Sequence, residues 1–161
     1  MKTDTLNAIL DALMKRIFLL LFALLAMVSQ WGLAQNAGGD DSQRPFAGHF
    51  YCKETGTHLY LNLYEASLTA PGFSFLGKMN GYMNGDIYGT WMLISHKVKG
   101  TKAQLRFSND IGSDSQNIDF VQQSDSVFTY QAVGGNAIRK AKGRNLVKVP
   151  DHMSFRKLSS Y

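Results

Sequence analysis

Cysteine is almost missing from this 161-residue chain, where Cys52 stands alone. No internal disulfide can form, so stability has to come from burial and backbone pairing. Proline is scarce, with three in all. No window carries the apolar spacing of an amphipathic helix, and segment 65–76 is the one stretch with room for a short one. A strong charge of one sign is also lacking. The 17 Lys and Arg against 12 Asp and Glu leave a formal charge of +5. That mild excess favours anionic surfaces weakly and does not mark a nucleic-acid binder. Long hydrophobic runs are absent too: Ile17 to Val28 spans about 12 residues, whereas a membrane-spanning helix needs about 20.

That short run has the layout of an export signal. Lys15-Arg16 precede it, and Gly32-Leu33-Ala34 close the segment with the small residues that a signal peptidase pocket accepts. Residues 1–34 are therefore expected to be a signal peptide cut after Ala34, with Met14 as an alternative start. Residues 35–45, QNAGGDDSQRP, are polar and Gly-rich and read as a flexible leader. The remainder, 46–161, is expected to be a single domain. The mature product should be periplasmic or secreted, without a transmembrane segment, and monomeric.

From Phe46 onward, short β-prone runs alternate with turn residues at intervals of about 8–12, the pattern of an all-β domain. Strands are expected near 102–108, 116–122, 126–133, 136–141, 145–149 and 153–158. Turns between them fall at Gly100-Thr101, Asp110 to Ser115, Ser124-Asp125, Gly134-Gly135-Asn136 and Lys142-Gly143. The fold class that follows is a small antiparallel meander of roughly eight to ten short strands closing into a barrel. A two-sheet β-sandwich is the alternative.

Two hairpins fix the expected facing of side chains. With Thr55-Gly56 at the first turn, Cys52 faces Leu59 and Phe50 faces Leu61, which puts the apolar residues on one side. His49, Tyr51, His58 and Tyr60 then lie on the other. This register separates the His49 and His58 rings by about 13 Å. Asn84-Gly85 has the composition of a two-residue type I′ turn, pairing 78–83 with 86–94, and Gly81 marks a bulge or a close backbone approach. The Gly100-Thr101 turn sets Val98 against Ala103, His96 against Leu105 and Ile94 against Phe107. Carried back along the strand, that parity turns Tyr88 and Met92 inward. It leaves Tyr82, Ile87, Trp91 and Leu93 as an outward apolar group. Such a group is a candidate contact surface, unless segment 69–77, with Phe73 and Phe75, covers it or a bulge reverses the parity.

Chemical motifs are few. His49, His58, His96 and His152 do not converge in this register, so no metal centre is expected. Asn109, Asp110 and Asp114 surround a Gly turn and form a weak candidate loop for Ca²⁺, although the spacing is not that of an EF-hand and plain turns use the same residues. Cys52 faces inward, where its thiol should be inert. No Gly-x-Ser-x-Gly elbow occurs, and no Ser is tied locally to a His and an acid. No catalysis and no cofactor are expected. Arg139, Lys140, Lys142, Arg144 and Lys148, with no acid among them, form a basic hairpin suited to lipid phosphates or acidic glycans. The neutral reading of that run is a solvated face.

Gly89-Thr90-Trp91 resembles the Gly-x-Trp of the lipocalin and avidin group. In lipocalins the motif opens the first strand, whereas here it falls mid-chain and the later motifs are missing, so no binding residue carries over. In size and architecture the chain is also similar to small exported bacterial barrels that inhibit proteases or lysozyme. The expectation is an exported bacterial, non-enzymatic domain that binds a protein or an envelope glycan or lipid, and the sharpest form is an inhibitor of a secreted hydrolase. A lipocalin-like carrier of a small apolar ligand is the alternative.

Overall fold

The computed structural model describes Met14, Lys15 and residues 44–160. The signal-peptide assignment and most of the leader therefore lie outside the described residues. Arg44 is already docked: its guanidinium donates to Asn62 Oδ1 (3.2 Å) and lies over the Tyr64 ring.

Ten strands follow in chain order: β1 (Ala47–Cys52), β2 (Thr57–Asn62), β3 (Gly81–Gly85), β4 (Trp91–Lys99), β5 (Lys102–Asn109), β6 (Ser115–Gln122), β7 (Val127–Gly135), β8 (Arg139–Lys142), β9 (Asn145–Lys148) and β10 (His152–Ser159). Eight close into an antiparallel barrel in the order β1-β10-β7-β6-β5-β4-β3-β2, and β8 and β9 pair separately as a hairpin. The expected barrel is observed rather than the sandwich, with eight staves and an insertion between β7 and β10. Closure gives every stave two neighbours and leaves no edge for another chain to extend.

Alternation fills the interior. Ala103, Leu105 and Phe107 on β5 and Ile118 and Phe120 on β6 are buried, as are Phe128 and Tyr130 on β7. The rings of Phe46, Phe50, Phe120 and Phe128 interlock with centroids 4.8–6.4 Å apart, mostly edge to face, and Phe155 joins at 5.8 Å from Phe120. Such pairs add to area burial through complementary ring charge.

Three expected pairings are corrected. In the first hairpin Phe50 pairs with Leu59 and Cys52 with Thr57, a slide of two residues. The facing survives because side-chain orientation repeats every two residues. The Asn84-Gly85 turn does not form. Tyr82 pairs with Met92 and Met83 with Trp91, and among the described residues none other than glycine has positive φ, which a type I′ turn requires at both central positions. In the third hairpin His96–Leu105 and Val98–Ala103 pair as expected, but a bulge between Leu93 and Ser95 sets Leu93, not Ile94, opposite Phe107. One extra residue in a strand reverses every orientation beyond it.

That bulge overturns the outward group. Ile87, Trp91 and Leu93 join the core, with Trp91 3% exposed, while Tyr88 and Ile94 are exposed. Tyr82 does share the outer side with Tyr60, yet it too is buried, its ring stacked on that of Tyr60 at 4.6 Å. Phe75 of segment 69–77 does not supply the expected cover, since it is 79% exposed, although Ala70 of the same segment is buried.

The up-and-down order gives the barrel two ends. The upper end gathers the β1–β2 turn, loop 86–90, loop 110–114 and the insertion 136–151. The lower end gathers the long β2–β3 connection, 63–80, and the turns at 100–101 and 123–126.

Candidate binding cleft at the upper end

The insertion is held down by named bonds. Ser115 on β6 accepts from the Asn136 N–H through its carbonyl (2.6 Å) and donates its own N–H to Asn136 Oδ1 (3.1 Å). Gln116, buried, receives the Ile138 N–H on Oε1 and donates Nε2 to the Gly134 carbonyl, both at 3.2 Å. Loop 86–90 completes the frame. The Tyr88 N–H donates to the Arg139 carbonyl (2.7 Å), and Ile87 bridges Lys140. Below these contacts Ile87, Trp91, Ile138 and Val149 close the upper end of the core. The Trp91 indole Nε1–H donates to the Tyr88 carbonyl (3.2 Å), which satisfies its one polar atom.

Between loop 86–90, loop 110–114 and the insertion lies a cleft of about 600 Å³. Tyr88, Asp110, Ile111, Asp114, Arg139 and Leu146 line its sides, and Trp91 is part of the floor. Tyr88, Ile111 and Leu146 are exposed (64%, 79% and 43%). The cleft thus offers apolar contact flanked by two carboxylates and a guanidinium.

Residues assigned to three different groups in the sequence meet here: Trp91 from the apolar group, Asn109, Asp110 and Asp114 from the candidate Ca²⁺ loop, and Arg139 from the basic run. The loop oxygens are engaged internally. Asp114 donates its N–H to Asn109 Oδ1 (3.2 Å), Asn109 donates Nδ2 toward Ser113 and Asp114, and Asp110 Oδ2 accepts the Thr90 N–H (3.2 Å). Among the described residues no three His, Cys, Asp or Glu side chains gather around a common point. The pleat splits the basic run. Arg139 pairs with Lys148, so these two share one face, while Lys140 and Lys142 take the other. Lys148 is matched by Asp151 at 2.6 Å. Tyr88, Ile111 and Leu146 were missed because nothing local marks an apolar residue as exposed.

A second cluster lies on the outer face of β1, β2 and β3. The register slide brings His49 and His58 together, with Nε2 and Nδ1 2.8 Å apart, and corrects the separation of about 13 Å expected at 3.3 Å per residue. Their centroids are 5.0 Å apart, so the rings meet edge to edge and share one proton in an N–H···N bond. Tyr60 stacks on His49 at 4.3 Å and Tyr51 lies 4.6 Å from His58. Burial, and then the charge of His58, lower the His49 pKa from 6.5. Burial, and then Tyr60, raise that of Tyr82. Cys52 is buried as expected, and no described helix is long and apolar enough to cross a membrane.

No protein-family model matches this chain, nor does any curated protein or solved structure.

Proposed function

We propose that residues 46–161 form an exported, non-enzymatic binding domain that engages a protein partner through the upper cleft; the sharpest form is an inhibitor of a secreted hydrolase. The observation that carries this reading is the rim of exposed Tyr88, Ile111 and Leu146 around a cleft that also holds Asp110, Asp114 and Arg139. Apolar anchors ringed by charge are what a protein interface needs, because the apolar contact supplies affinity and the charges set orientation. A lipocalin-like carrier draws less support, since phenylalanine rings occupy the barrel interior.

The test is a pull-down from the producing cell's envelope and medium with the barrel expressed from residue 35. Wild type is compared with Ile111→Asp and Tyr88→Ser. Both side chains are exposed, so the variants should fold. Recovery of a partner by wild type, lost in both variants, supports the cleft. Equal recovery by all three removes it.

A further inference from the structure

The lower end carries a feature that the cleft does not explain. The β2–β3 connection rises into a short 3-10 turn, Ser74–Leu76. Phe75 at its tip is 79% exposed, Leu76 is 50% exposed, and the Phe73 ring lies 6.1 Å from that of Phe75. Gly72 and Gly77 flank the turn with φ of +80° and +78°, and a Cβ built on either would meet nothing within 4 Å. The tip therefore stands clear of the barrel and presents two large apolar side chains to solvent.

The same end of the barrel is rich in lysine. Lys78 lies just beyond Gly77, and at the same end β4 finishes with exposed Lys97, Val98 and Lys99. Lys99 sits directly opposite Lys102, and like charges in that relation repel. Lys102 has an internal counter-ion, Asp119 at 2.7 Å. The carboxylates of the lower connections, Glu65 and Asp125, are fewer than the lysines. The two ends thus differ in kind: acid and base are mixed at the upper cleft, and a projecting apolar tip among lysines marks the lower end.

We propose that this lower end docks on an anionic phospholipid bilayer. Phe75 and Leu76 enter the boundary between head groups and acyl chains, while Lys78, Lys97 and Lys99 lie against lipid phosphates. Aromatic and aliphatic residues beside lysines are the composition of interfacial anchors, and neither element suffices alone: the apolar contact is small, and a few lysines hold only a charged surface. The pairing of the two also chooses between occupants. A protein groove would take the apolar tip without needing the surrounding cations, whereas an anionic bilayer uses both. This surface is separate from the cleft, so the inference stands whether or not a partner is found there.

Sedimentation with vesicles tests it, using the barrel expressed from residue 35, whose staves all pair within the described residues. Vesicles of phosphatidylglycerol mixed with phosphatidylcholine are compared with pure phosphatidylcholine at low and high salt. Binding is expected to the anionic vesicles only and to weaken with salt. Phe75→Ser with Leu76→Ser should reduce it by about tenfold or more. Lys78→Ser with Lys99→Ser should reduce it on anionic vesicles without altering the thermal melt. No sedimentation by wild type, equal binding to neutral vesicles, or unchanged binding by the tip variant would each overturn the proposal. Capture of a protein through Phe75 without vesicle binding would do the same.

Discussion

An indole at 3% exposure, hydrogen-bonded to the Tyr88 carbonyl, makes Trp91 both a packing anchor and an optical reporter. In protein expressed from residue 35 it is the sole tryptophan, and its emission should be blue-shifted before any partner is added. Trp91→Ala should lower stability by about 3–5 kcal/mol through the cavity it leaves, measured by denaturant unfolding. His49 sets a pH dependence. Its folded pKa lies below 6.5 because burial and His58 oppose its charge, so the unfolded chain binds the proton more readily. Stability is then complete above about pH 6.5 and declines as pH falls through the lowered folded value. Melting temperature should drop between pH 7.5 and 5, and His49→Phe should flatten that slope. The pair itself was illegible beforehand. A slide of two residues keeps every side chain on its face, so alternation could not tell the true register from the expected one.

At the level of elements, the β5–β6 and β6–β7 hairpins and the excluded β8–β9 hairpin were readable because turn residues, Gly112, Ser124-Asp125 and Gly143, separate clear β runs. Gly143, with φ of +63°, opens a two-residue turn with Arg144 between Lys142 and Asn145, one residue beyond the expected Lys142-Gly143. The facing of β4 was not readable, because a bulge leaves no compositional mark and Ile94 is as apolar as Leu93 before it. Gly81 was readable: a Cβ there would lie 2.8 Å from the Tyr60 carbonyl oxygen and 2.7 Å from Leu61 Cδ2. Gly81→Ala should cost about 1–3 kcal/mol by overpacking, checked by thermal unfolding. The insertion depends on Gln116. Replacing it with Leu strands the Ile138 N–H in a buried position, which costs about 1–3 kcal/mol. Amide exchange at Ile138 should accelerate in that variant, while exchange in β5 should not.

For the molecule as a whole, β1 and β10 close a cylinder whose first and last staves are neighbours. Unfolding should therefore be cooperative, with far-UV dichroism and Trp91 fluorescence tracing one transition. Two separated transitions would mean that the insertion 136–151 melts apart from the staves. The barrel was legible from strand spacing alone. The cleft was not, since loop 86–90, loop 110–114 and the insertion meet only once the sheet has curled round. Sealing the lone thiol also has a practical consequence. Cys52 is 1% exposed, so thiol-directed dyes should leave the native protein unlabelled. A cysteine substituted at Phe75 or at the exposed Arg144 would then be the one reactive handle, allowing a probe to be mounted at either pole without first removing the native sulfur.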